Sequence, residues 1–158
     1  MTIEKRKKGF TLLEVAMAVA LLTVVAAFGI SSFFNFRNST GIESTSRNIA
    51  DVLRRAQANA VSGEDFTMWG VRFDNVSTPF YQLFSGPSWG SGTKKDYFPI
   101  SSGIEYTTPL SGNAAEMVFE QRTGRSLVGS FVITVRSTVQ QNISRTIAVS
   151  GEGTINIQ

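Results

Sequence analysis

Residues 10–30 read FTLLEVAMAVALLTVVAAFGI, twenty-one positions that hold one charge, Glu14, and two threonines, Thr11 and Thr23. A run of about 20 apolar residues matches the hydrocarbon thickness of a bilayer when it is helical. Lys5, Arg6, Lys7 and Lys8 stand just before it, and basic residues on one flank of a span hold that end in the cytoplasm. The expectation is a single-pass anchor with a cytoplasmic N-terminus and the rest of the chain on the far side. A cleaved secretory signal fits less well, because its apolar core is shorter and ends in a small-residue cleavage site. Ala26-Ala27-Phe28-Gly29 is a poor match to such a site.

Charge placement supports the same division. The chain of 158 residues carries a formal +3, and the first nine residues account for all of it, with four bases against Glu4. The remaining residues hold eleven bases and eleven acids, so no basic surface for nucleic acid is expected on the body. There is no Cys and no His. A disulfide framework, a thiolate or imidazole metal site and a His-based proton relay are therefore excluded.

Downstream of the apolar run, Ile42, Ile49, Val52, Leu53, Ala56 and Ala60 recur at spacings that line one face of a helix. No proline occurs before Pro79. These features predict one helix from about Thr11 to Val61, loosened near Asn38 to Gly41 and roughly 75 Å long at 1.5 Å per residue. Ser62-Gly63 supplies a plausible stop, with Gly as a left-handed cap.

Beyond Gly63 the vocabulary turns to β-branched and aromatic residues separated by turn signals. Expected strands are 68–73, 80–84, 104–107, 116–120, 126–137 (bent by Gly129), 145–150 and 154–157, the last two joined by the Gly151-Glu152-Gly153 turn. Residues 85–95, SGPSWGSGTKK, read as a loop that leaves Trp89 exposed and available to a partner. Trp69 and Phe73 share a strand face and read as core. The fold class is α+β: a long N-terminal helix packed through its apolar stripe on a small antiparallel β-sheet body.

Glu14 sits near the start of the apolar run, where an unpaired carboxylate costs roughly 2.5–3.5 kcal/mol on insertion scales. It can pair at headgroup level with Lys7 or Lys8, or with a cation on another subunit. Its surroundings, KKGFTLLEV, resemble the signal of type IV prepilins: a short basic leader, Gly, Phe, a glutamate five residues into the mature chain and an unbroken apolar helix. The resemblance implies that a membrane-embedded aspartyl peptidase, the prepilin peptidase, cuts between Gly9 and Phe10 and then N-methylates Phe10. It also implies that Glu14 neutralises the new ammonium of a neighbouring subunit and so sets filament register.

The outline past the helix resembles a subset of that superfamily. Trp69-Gly-Val-Arg-Phe73, Tyr81-Gln-Leu-Phe84, Phe119-Glu-Gln-Arg-Thr-Gly124 and the final strand–glycine turn–strand are similar to the H-type minor pseudopilins of type II secretion and the FimT/FimU-type minor pilins. The implied division is a leader (1–9), a membrane or filament-core helix (10–30), its amphipathic continuation (31–62) and a β-rich periplasmic domain (63–158). The implied function is a minor pseudopilin of a type II secretion pseudopilus at or near the filament tip, or alternatively a minor pilin of a type IV pilus. Implied partners are other pilins or pseudopilins, the prepilin peptidase and the inner-membrane assembly platform. The absence of a Cys pair also removes the disulfide-bounded loop of many major pilins.

No arrangement of residues suggests catalysis, and no cofactor or metal is expected. Ser126 and Ser130 have no His to activate them. Glu64-Asp65 reads as a solvated or capping pair, and the glycines of 86–92 lack phosphate-loop spacing. Asp74, Asn75 and Asp96 are three oxygen donors too widely spread to specify calcium. Arg122, Arg125, Arg136 and Arg145 would bind DNA only if the strands gathered them, since phosphate contacts need clustering to survive salt.

Overall fold

The computed structural model describes the backbone of Gly9 and of residues 11–158, and the side chains of all of these except residues 28–39. Residues 1–8 and Phe10, which carry the predicted leader and mature N-terminus, lie outside the described residues. The chain divides into two units, Met1–Arg37 and Asn38–Gln158.

Helix α1 spans Leu12–Ser62. Its backbone is helical through residues 38–41, where loosening was expected; one glycine, Gly41, is too small a perturbation to break the hydrogen-bond ladder there. In the first unit, residues 11–27 are exposed on every side. Leu12, Leu13, Val15, Met17, Val19, Leu21, Leu22, Val24 and Val25 all present open apolar surface. Such a helix needs lipid or other helices around it.

In the second unit α1 buries the predicted stripe. Ile42, Ile49, Val52, Leu53, Ala56 and Ala60 are all buried, and each large member contributes on the order of 1.5–3 kcal/mol by leaving water. The buried Ser46 hydroxyl is satisfied by donating to the Ile42 carbonyl at 2.8 Å. The helix ends where expected, at Gly63, whose φ of 73° lies in the left-handed region.

The body holds two four-stranded antiparallel sheets where a single small sheet was expected. The first has the order β3-β2-β1-β5, formed by β1 (Trp69–Asp74), β2 (Phe80–Ser85), β3 (Thr93–Pro99) and β5 (Ala114–Phe119). The second has the order β4-β6-β7-β8, formed by β4 (Ile104–Thr108), β6 (Phe131–Ser137), β7 (Ser144–Val149) and β8 (Ile155–Ile157). Alternation turns Trp69, Val71, Phe73, Tyr81, Leu83, Met117 and Phe119 of the first sheet inward. Ile133, Val135, Ile147 and Val149 of the second join them and the helix stripe in one core. Within that core Phe73 meets Tyr106 edge-on, with ring centroids 6.3 Å apart.

Two strand assignments differ from expectation. β3 falls partly in the predicted loop: it is an edge strand, exposed along nearly its whole length, so no buried alternation marks it. Its lysines are typical of edges that resist further pairing. The predicted strand 126–137 begins only at Phe131; upstream, Ser126 makes a lone bridge to Phe119.

Candidate assembly segment and the Trp89 face

The predicted processing segment lies at the start of α1. Gly9 is exposed, and a side chain added there would meet nothing within 4 Å among the described residues. Thr11 caps the helix: its hydroxyl accepts the Glu14 amide N–H at 3.2 Å, and its carbonyl accepts the Val15 N–H at 3.2 Å. Thr11-Leu-Leu-Glu14 therefore has the spacing of a capping box, a signal present in the sequence but masked there by the apolar run. Glu14 lies in the first turn, where the helix dipole favours a carboxylate. Phe10 is outside the described residues. Among those described, no helix is long and apolar enough to cross a membrane; the predicted span of 10–30 also takes in Phe10 and the side chains of 28–30.

The second feature is the outer face of the β3-β2-β1-β5 sheet. Phe84 and Val118 point away from the main core yet are buried. Phe84 pairs across the strands with Gly70 and lays its ring over it. A methyl group at Gly70 would fall 2.5 Å from Phe84 Cζ and 2.6 Å from the Met117 carbonyl oxygen, so this position has no room for a side chain. The 86–92 loop folds down beside this pair, with the Gly92 amide donating to the Ser88 carbonyl at 2.8 Å.

Trp89 is half-buried, whereas the loop's composition suggested an unsupported ring. Its ring is flanked by Arg72, 4.3 Å from the centroid, and Lys94, at 3.8 Å. Its indole N–H donates to Gln82 Oε1 at 3.2 Å and its amide N–H to Glu116 Oε2 at 3.0 Å. Glu116 also takes Arg72 at 2.9 Å. The loop is thus tied to its own sheet by charge and aromatic contact. Trp89→Ala is expected to lower stability by about 1–2 kcal/mol, from the lost cation–π and hydrogen-bond contacts, as read by urea unfolding of the full chain. Unchanged binding of a partner by the same variant would remove Trp89 from any partner contact.

The remaining polar groups are engaged in local structure. Glu43 bridges Arg145 and Arg47, each at 3.0 Å, and those two guanidinium groups, Arg145 foremost, hold its carboxyl below the ordinary value. Arg125 pairs with Glu152 and Arg136 with Glu105, so three of the four arginines weighed for DNA are matched by acids. Asp74 pairs with Arg72, Asn75 donates to the Pro109 carbonyl, and Asp96 pairs with Arg55. The three oxygen donors considered for calcium are therefore occupied separately. Among the described residues no group of three or more acidic side chains gathers in a way that could hold a metal ion. Burial pushes the Tyr106 hydroxyl well above its ordinary pKa, and that hydroxyl donates to the Phe80 carbonyl at 3.2 Å.

The family model for the prokaryotic N-terminal methylation motif matches residues 5–30. The structure superposes on the minor pseudopilin EpsH from the type 2 secretion system of Vibrio cholerae with a TM-score of 0.57, covering 74% of this chain and 95% of that one at 14% identity. The fold is pilin-like, and the N-terminus is prepilin-type. No curated protein matches the sequence. In this pilin-like frame the expected α+β class holds, with the amphipathic part of α1 seated on antiparallel strands. The contacts between Gln57, Gly124 and Gly153 are a structural feature that sequence reading missed. Gln57 Nε2 donates to the Gly124 carbonyl at 2.9 Å and to the Gly153 carbonyl at 3.0 Å, tying α1 to both glycine turns that the sequence marked only as motifs.

Proposed function

We propose that this protein is a minor pseudopilin, a non-catalytic structural subunit of a type II secretion pseudopilus that assembles at or near the filament tip. The observation that carries the reading is a methylation-motif N-terminus leading directly into the helix of a pilin-like body. On this reading the chain first resides in the bacterial inner membrane, N-terminus cytoplasmic and body periplasmic. Prepilin peptidase cuts between Gly9 and Phe10 and methylates Phe10. The exposed apolar surface of residues 12–25 then exchanges lipid for the helices of other pilins or pseudopilins, with the assembly platform driving extraction.

Glu14 supplies register by pairing with the Phe10 ammonium of a neighbour. Thr11 binds the Glu14 backbone N–H and not its carboxylate, so Glu14→Leu keeps the helix start. That variant is expected to be processed normally yet to enter filaments at least about tenfold less, since removing one partner of a buried charge pair costs about 2–5 kcal/mol. Shearing filaments from cells and quantifying the subunit checks this; normal incorporation would remove Glu14 from assembly.

The alternative is a minor pilin of a type IV pilus serving assembly initiation, motility or DNA uptake. A photo-reactive residue at Leu13, beside Glu14, separates the two in native membranes. Crosslinks to secretion pseudopilins support the first reading, and crosslinks to a major pilin support the second.

A further inference from the structure

The proposed cut, between Gly9 and Phe10, lies just ahead of Leu12, where α1 begins. Thr11 stands between the cut and the helix. Its carbonyl accepts the Val15 N–H at 3.2 Å, the first helix bond among the described residues, and its hydroxyl accepts the Glu14 N–H at 3.2 Å. Gly9 is exposed and outside the helix, and its carbonyl accepts no hydrogen bond among the described residues. The residues around the cut also belong to the stretch that matches the methylation motif, so a helix boundary and a processing signal share one short segment.

Cleavage requires attack on the Gly9 carbonyl carbon. A helix that reached back to Gly9 would commit this carbonyl to the Leu13 N–H, four residues on, and wind the peptide into a turn closed to a cleft. A threonine at the N-cap accepts an N–H that an apolar residue there leaves unpaired. Without that acceptor the helix start has two ways to move. Retreat strips partners from further N–H groups of an apolar segment, which is costly beside lipid. Advance forms new bonds, and between Lys5 and Thr11 the one residue with cap character is Gly9. Advance is therefore favoured, and it ends on the peptide to be cut.

We propose that Thr11 is a positioning residue for processing: by capping α1 it keeps the Gly9 carbonyl free for the prepilin peptidase. This role rests on the processing reading above and deepens it, since Gly9, Phe10 and Glu14 have parts there and Thr11 has none. Thr11 acts through the backbone N–H of Glu14 and not through its carboxylate, so the cap and the charge pair are separable by mutation. The rate of cutting follows the fraction of chains in which the Gly9 carbonyl is free.

Three substitutions separate capping from recognition of the threonine by the peptidase. Thr11→Val keeps the shape and removes the acceptor, whereas Thr11→Ser and Thr11→Asn keep an acceptor and change the shape. In cells making the full chain together with the peptidase, intact mass of the membrane fraction over a time course after induction gives the rate of shortening of inserted chains. Thr11→Val is expected to be cut on the order of fivefold more slowly than the wild type, the factor that loss of a typical cap implies. The serine and asparagine variants are expected to stay within about twofold of it, because both rank with threonine as caps. A valine variant cut as fast as a shortened wild type overturns the role of Thr11 alone. Serine or asparagine variants as slow as valine also overturn it, and show that the peptidase reads the threonine itself. A wild type that is never shortened overturns the processing reading, and the role of Thr11 with it.

Discussion

Gly9→Glu should leave the chain at its full 158 residues in cells that shorten the wild type to 149, the length left after nine leader residues are removed. The reason lies with the peptidase. Among the described residues, nothing within 4 Å would meet a side chain at Gly9, and the position lies before the first residue of α1. The substitution therefore leaves the body's packing untouched, and near-UV circular dichroism of the variant should match the wild type. A protease that holds the chain across its cleft, however, meets bulk and charge where it had none. The uncut chain keeps Lys5 to Lys8 and gains no ammonium at Phe10, so a neighbour's Glu14 is left without its proposed partner and filament incorporation should be lost. Intact mass spectrometry decides the matter. A Gly9→Glu chain processed as fast as the wild type, or a wild type that is never shortened, would refute the proposed processing.

The second large effect is structural. Gly153→Ala should destabilise the body by about 2–4 kcal/mol, combining backbone strain with overpacking, and lower its Tm by roughly 6–15 °C. Gly153 has φ of 88°, a region costly for any residue with a Cβ. An added methyl group would run into the Gly124 carbonyl oxygen and the Gln57 amide nitrogen. To clear them, the turn between β7 and β8 must move off α1, which breaks the hydrogen bonds from Gln57 to the Gly124 and Gly153 carbonyls. Gln57→Ala alone should cost about 1–3 kcal/mol, the penalty for partly buried carbonyls left unpaired. The double variant should cost less than the sum, because both changes strike the same contacts. It should not recover wild-type stability, since the backbone clash with Gly124 remains. Thermal unfolding of the four proteins provides the cycle, and strict additivity would show that Gln57 and Gly153 act separately.

Much of the protein is legible in its sequence for simple reasons. The basic leader, the glycine, the apolar run and Glu14 are contiguous, so their meaning needs no knowledge of what folds next to what. The helix stripe from Ile42 to Ala60 follows from period alone, and all six of its residues are buried. Trp69 and Phe73 fall on the core face because strand alternation repeats every two residues. The sequence was less informative where a residue's environment is made by distant chain. Phe84 and Val118 occupy outward positions in their strands, and nothing local says that they are covered. Trp89 sits among glycines and serines that bury nothing, yet Arg72, Gln82, Lys94 and Glu116 from four strands meet it.

The sequence by itself determined the α+β class, the order of helix before strands and the place of the methylation motif, because those rest on composition and period along one stretch. Tertiary structure alone decided that the strands form two sheets, that β3 lines an edge, that Gln57 latches two glycine turns 67 and 96 residues away, and that Phe66 stands exposed in a left-handed turn. Each of these depends on which segments meet after loop closure, a long-range choice set by the summed burial of many side chains, which no local pattern encodes.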